Sequence, residues 1–151
     1  MAPNCLLRLC PIRVGSPELS LSDPHQLKVE EKIMKPVSIT ANRENKDLTV
    51  IWDDEHTSLY PFPLLRAGCP CAECRGGHDK MSATPEPSVF NSNLTDSTAT
   101  RLTNLFPVGS YGIMPVWEDG HDSGIYRWEY LRALCPCADC RKQIKSAGIL
   151  P

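Results

Sequence analysis

The feature that most constrains this chain is a short cysteine motif that occurs twice. Leu65-Arg-Ala-Gly-Cys69-Pro-Cys71-Ala-Glu-Cys74-Arg75 is matched 66 residues later by Leu131-Arg-Ala-Leu-Cys135-Pro-Cys137-Ala-Asp-Cys140-Arg141. Six of the eight cysteines lie in these two clusters. Two copies are too few for a solenoid, so the pattern reads as one chemical device used twice. Side chains two apart on extended backbone share a face, so Cys69 and Cys71 point the same way. Pro70 stiffens the link and biases Cys69 toward an extended conformation. Cys71 and Cys74 are then spaced as in zinc knuckles. Three thiolates can converge from six residues, leaving a tetrahedral ion one ligand short. Disulfides fit poorly, because cysteines two apart do not easily reach the Cα separation of a relaxed bridge.

His121 is the candidate fourth ligand for Cys69, Cys71 and Cys74. It sits in the polar loop Glu118-Asp-Gly-His-Asp-Ser-Gly124. The other histidines are worse placed: His25 in the N-terminal lead-in, His56 in a hairpin turn and His78 in a soft segment. A Cys₃His set is a standard closed zinc geometry. Cys135, Cys137 and Cys140 form a second candidate metal site whose fourth ligand is less obvious. Metal binding is worth about 10–16 kcal/mol in zinc-finger peptides, enough to decide whether a small core folds.

The chain has 151 residues, 41% hydrophobic and 23% charged, consistent with one modest domain. A net charge of −2 argues against a general phosphate-backbone binder, so nucleic acid is not an expected partner. No apolar stretch approaches the ~20 residues of a membrane span. The 14 prolines, about twice the usual ~5% share, predict many turns and short elements. Residues 1–36 read as a flexible lead-in. Its first 17 residues contain Arg8 and Arg13 but no acid, which fits an organelle-targeting leader or an ordinary loose terminus. Gln26 to Lys35 could hold a short helix. The domain proper is expected over 37–143, with a loop at about 75–99 and a tail at 144–151.

Val37–Thr40 and Leu48–Trp52, with Asn42–Asp47 between them, read as a β-hairpin. An extended piece at Ser58–Tyr60 ends at Pro61 and Pro63, and Leu64–Arg66 suits one helical turn. Two further short strands are expected near 104–108 and 111–117. From Ile125, apolar residues at Trp128, Leu131 and Leu134 predict an amphipathic helix of about ten residues, with Ser123 as its N-cap. The expected class is therefore α+β: a small antiparallel sheet of short strands with one main C-terminal helix, stapled by metal. Trp52, Trp117 and Trp128 read as core residues.

Leu48-x-Val50-x-Trp52-x-Asp54, Tyr60-Pro61, Leu65-Arg66, Cys69-Pro-Cys71-x-x-Cys74 and Trp117-x-Asp119-Gly120-His121-x-x-Gly124-Ile125-Tyr126-x-Trp128-x-x-Leu131 together resemble the gamma-butyrobetaine hydroxylase-like N-terminal domain. The resemblance covers about residues 37–140. It implies a structural zinc on Cys69, Cys71, Cys74 and His121, the four residues already chosen from their chemistry. Related domains occur alone and fused to P-loop ATPases that carry iron–sulfur clusters. The repeated cluster at 135–140 departs from the hydroxylase pattern. The catalytic jelly-roll of the hydroxylases should follow such a domain, but only eleven residues follow Cys140, and no H-x-[DE] occurs in the chain. Hydroxylase activity is therefore not expected.

Three functions compete. The first is a non-catalytic zinc module acting as a scaffold or protein-interaction domain, with another protein as partner. The second is an iron–sulfur cluster binding or transfer protein. The third is an accessory part of a 2-oxoglutarate oxygenase system. Reduced thiols point to an intracellular setting, cytoplasmic or mitochondrial rather than secreted.

Overall fold

The computed structural model describes residues 34–81 and 84–146. The lead-in through residue 33, with most of the helix expected at 26–35, lies outside the described residues, as does the chain beyond 146.

Three strands, β1 (Pro36–Asn42), β2 (Asp47–Trp52) and β3 (Thr57–Pro61), form an antiparallel meander in the order β1-β2-β3. The sequence alternation sets its faces: Leu48, Val50 and Trp52 point inward and are at most 1% exposed, while Leu59 on the other face is 50% exposed. Leu48 pairs with Tyr60 and Val50 with Ser58. Pro61 leads into helix α1 (Phe62–Ala67), whose first turn carries Pro63. The chain then passes through Cys69-Pro-Cys71 to the short helix α2 (Ala72–Arg75). Short 3₁₀ turns at His78–Lys80, Pro87–Asn91 and Thr98–Thr100 punctuate the following connector.

The same order then recurs. Strands β4 (Leu102–Val108), β5 (Gly112–Trp117) and β6 (Tyr126–Arg127) form a second antiparallel meander. Helix α3 (Trp128–Ala133), the second Cys-Pro-Cys and helix α4 (Ala138–Ser146) complete it. Even the register irregularities correspond, falling between Pro36 and Ser38 in β1 and between Leu102 and Asn104 in β4. The α+β class and the short antiparallel strands are as the sequence indicates, but the strands form two sheets and the whole unit is duplicated, not the cysteine motif alone.

The helical part differs from expectation. No ten-residue helix starts at Ile125, and Ser123 caps none: Ile125 is 40% exposed, Tyr126 and Arg127 are strand, and α3 is six residues long with no side-chain cap at Arg127. The step-of-three apolar pattern is shared by a strand end and a short helix. Tyr126 is drawn into the sheet by pairing with Ile113, and Gly112 admits this approach because a Cβ there would lie 2.7 Å from the Tyr126 carbonyl oxygen. The helical content is instead spread over α1 to α4, of which α4 is nine residues. Among the described residues, no helix is long and apolar enough to cross a membrane.

The two units pack through reciprocal contacts. Tyr60 donates its hydroxyl to the Leu131 carbonyl at 2.7 Å, and Tyr126 donates to the Leu65 carbonyl at 2.5 Å. Arg66 pairs with Asp119 at 3.3 Å and Arg132 with Asp54 at 2.9 Å. Residue i of one unit meets j of the other, and j's counterpart meets i's, which is the signature of a twofold relation. Phe62 meets Trp117 edge-on across the same boundary, with ring centroids 6.2 Å apart. Trp52, Trp117 and Trp128 are all buried, as expected.

Gly68 and Leu134 are counterparts that touch each other. A Cβ on Gly68 would lie 2.8 Å from Leu134 Cδ1. Two leucines cannot share this place, so one position is reduced to glycine. Both residues have ordinary negative φ, −83° and −78°, so neither backbone demands glycine. The pair is thus coupled by volume alone. Gly68→Leu should destabilise by at least about 1–3 kcal/mol through overpacking, and Leu134→Gly by at least about 2–5 kcal/mol through cavity formation. The reciprocal double variant, measured by denaturant unfolding, should recover more than about 1 kcal/mol relative to the sum; strict additivity would refute the coupling.

Candidate metal centres

The C-terminal turn of α1 delivers Cys69, whose amide bonds the Arg66 carbonyl at 3.2 Å. Cys71 precedes α2, and its Sγ accepts the Cys74 amide at 3.3 Å. This local bond folds the knuckle so that the three sulfurs face one point. His121 comes from the turn between β5 and β6. The Trp117 amide donates to the His121 carbonyl at 3.0 Å, and Gly120 takes the left-handed conformation, φ 87°, that the turn needs. Asp119 accepts the His121 amide at 3.1 Å and holds Arg66. Arg66 in turn donates to Cys74 Sγ at 3.1 Å, so one cation faces both a sulfur ligand and the carboxylate beneath the histidine loop.

The His121 Nε2 atom lies 3.2, 3.5 and 3.7 Å from the sulfurs of Cys69, Cys71 and Cys74. A tetrahedral ion with ordinary zinc–sulfur and zinc–nitrogen bonds separates sulfur and nitrogen ligands by about 3.6 Å. The donor set and its spacing therefore fit a single zinc-sized ion. The sequence-derived candidates Cys69, Cys71, Cys74 and His121 are brought together.

A second group of the same kind is present. Cys135, Cys137 and Cys140 converge on His56, whose Nε2 lies 3.4, 3.8 and 3.6 Å from their sulfurs. The ligand atoms of each group all lie within 4.8 Å of one another. His56 is the residue the sequence reading passed over. It does lie in a turn, but that turn is built like the one carrying His121. Trp52 donates its amide to the His56 carbonyl at 2.9 Å, Asp54 accepts the His56 amide at 3.2 Å, and Glu55 takes φ 64° where the other unit has Gly120. The signal was available: Trp52-Asp-Asp-Glu-His56 matches Trp117-Glu-Asp-Gly-His121 at an offset of 65. One extra residue between His121 and Tyr126 shifts the offset away from the 66 of the cysteine clusters.

The electrostatics of each cluster are graded. Burial pushes the Cys69 thiol well up. Burial acts upward on Cys71 too, but the Cys74 amide and the neighbouring thiols outweigh it and hold Cys71 below the ordinary thiol value. In the second cluster, burial pushes Cys140 up to about 12, while Cys137 is held low by the Cys140 amide despite its own burial. Burial and the Arg132 charge lower His56, favouring the neutral imidazole that a metal requires. Metal entry must therefore displace protons from the buried thiols.

The gamma-butyrobetaine hydroxylase-like N-terminal family matches residues 39–132. The chain belongs to this family. The family match includes both histidines and the first cysteine cluster but ends before Cys135. A comparison with curated proteins found no match. Among solved structures, a protein of unknown function of the DUF971 family from Acidithiobacillus ferrooxidans is 30% identical, with 66% of this chain and 91% of that one covered and a TM-score of 0.48. A solution NMR structure is 28% identical over 76% of this chain and 86% of its own, TM-score 0.47. Another, 22% identical over 79% and 86%, has a TM-score of 0.54 and shares the fold.

Within this family member, Gly124 tests the first centre. A Cβ there would lie 2.7 Å from Cys69 Sγ. Gly124→Ala should displace that sulfur or the His121 loop and weaken metal binding at Cys69, Cys71, Cys74 and His121 by about 10–100-fold, as for other residues that support metal ligands. Competition with a chromogenic chelator measures this; unchanged affinity would show that the sulfur is free to shift.

Proposed function

We propose that this domain is a non-catalytic zinc-binding module that acts as a scaffold or protein-interaction domain in a thiol-reducing compartment. The observation that carries the reading is the set of three sulfur–nitrogen separations around His121, which lie on either side of the value a tetrahedral zinc sets. Cys69, Cys71, Cys74 and His121 would hold the ion. All four positions are supplied by the protein, so no site remains open for water or substrate, and the ion's contribution is structural. It would tie the α1–α2 segment of one unit to the β5–β6 turn of the other.

Zinc is preferred over an iron–sulfur cluster because the donors close on one point. A cluster places several iron and sulfide atoms between its ligands and spreads them further apart. A protein partner is preferred over nucleic acid because the chain is near neutral, with a net charge of −2. Beside the first centre, Pro70, Met81, Ile125, Arg127, Glu129 and Tyr130 help line a hollow of about 440 Å³, with Met81 52% and Ile125 40% exposed, a mixed apolar and charged feature suited to a protein ligand.

Elemental analysis and a visible spectrum of anaerobically purified full-length protein test the metal. A colourless protein containing zinc is expected. Cys71→Ala and His121→Ala should each lose one ion per chain and lower the midpoint of thermal unfolding sharply. A brown protein with iron and acid-labile sulfide would overturn the zinc reading, and full metal retention in both variants would overturn the ligand assignment.

A further inference from the structure

We infer that His56 completes a second mononuclear metal centre with Cys135, Cys137 and Cys140, so that the chain holds two ions, each gripped across the boundary between its two units. Three of these four ligands lie beyond the residues matched by the family. The sulfur–nitrogen separations of 3.4, 3.8 and 3.6 Å again centre on the ~3.6 Å that a tetrahedral zinc-sized ion sets.

The site is built, not merely crowded. Cys135 and Cys140 are buried and Cys137 half-buried. The Cys140 amide bonds Cys137 Sγ at 3.4 Å and the Arg141 amide bonds the Cys137 carbonyl at 3.1 Å, reproducing the knuckle of the first centre. His56 is presented by a hydrogen-bonded turn anchored on Trp52, which is 1% exposed. Asp54, which accepts the His56 amide, is held by Arg132 from the opposite unit, as Asp119 is held by Arg66. Three converging thiols with an imidazole are a soft donor set, which selects zinc or a similar thiophilic divalent ion.

The crossing is what gives the second centre its consequence. Each unit contributes three sulfurs to one ion and an imidazole to the other. Loss of either ion would loosen the same boundary, so the centres should be coupled in stability though separate in ligands.

The inference is independent of which metal fills the first centre. Metal counting on the full chain, loaded with zinc and then with cobalt(II), tests it. The wild type should bind two ions, His56→Ala one and His56→Ala/His121→Ala none. Cobalt bound to the wild type should show tetrahedral absorption for two ions, halved in His56→Ala. His56→Cys should restore the second ion with thiolate-to-cobalt absorption increased, which guards against simple misfolding of the alanine variant. One ion in the wild type, unchanged in His56→Ala, overturns the inference, as does His56→Cys failing to restore the second ion. Loss of all iron and sulfide from either single histidine variant would instead reveal one shared cluster and also overturn it. Two ions that prove not to be zinc would defeat only the preceding metal assignment.

Discussion

Each unit's histidine faces the other unit's cysteines, and the architecture depends on this exchange. A three-stranded meander with two short helices is about forty residues, below the size at which a single core usually suffices without metal, disulfides or association. Here association is internal. Tyr60 reaches the Leu131 carbonyl and Tyr126 the Leu65 carbonyl, so the last turns of α1 and α3 are each held by a buried hydroxyl from the opposite sheet. The ligand sets begin at those same turns. Packing, hydrogen bonding and the two Cys/His clusters therefore meet at one boundary, where each pre-orders the groups that the others use.

The two halves differ where counterparts meet and in the turns that carry the histidines. Gly68 yields its volume to Leu134 because counterparts that meet cannot both be large. The turn before the ligand histidine needs a left-handed residue; Gly120 adopts it freely, whereas Glu55 does so at a cost of about 1–2 kcal/mol. Such a conformation persists only where the surroundings fix it, and Asp54, Trp52 and Arg132 do so. The centres also differ in access: Cys74 is exposed, while its counterpart Cys140 is buried. Arg66 compensates by donating to Cys74, whereas Arg132 lies over the Trp52 ring, 5.6 Å from its centroid.

Much of this was legible in the residues. Alternation at Leu48, Val50 and Trp52 fixed a strand and its buried face because period-two patterning reports directly on a half-buried sheet. The convergence of Cys69, Cys71 and Cys74 with His121 was legible because ligand chemistry restricts the choice so severely. What escaped depended on contacts distant in sequence. Ile125, Trp128, Leu131 and Leu134 imitate a helical stripe, yet Tyr126 pairs with Ile113 and the helix starts only at Trp128. Pairing across thirteen residues competes with local periodicity and wins. His56 escaped for a related reason: a turn is a poor place for a ligand unless another segment is known to cover it, and Cys135 to Cys140 come from 79 to 84 residues away.

The two centres lie differently against the residues that the family matches. The four residues of the first candidate centre all lie within residues 39–132. The second takes only His56 from there. Its cysteines follow α3, where the chain leaves the matched region, and their Sγ atoms reach back to a turn that Asp54 and Arg132 hold in place through an ion pair independent of any metal. An imidazole held in place without metal leaves less ordering for a metal to impose. Both ions would then serve the same mechanical end: reinforcing a boundary already joined by the Tyr60 and Tyr126 hydroxyls and by two ion pairs.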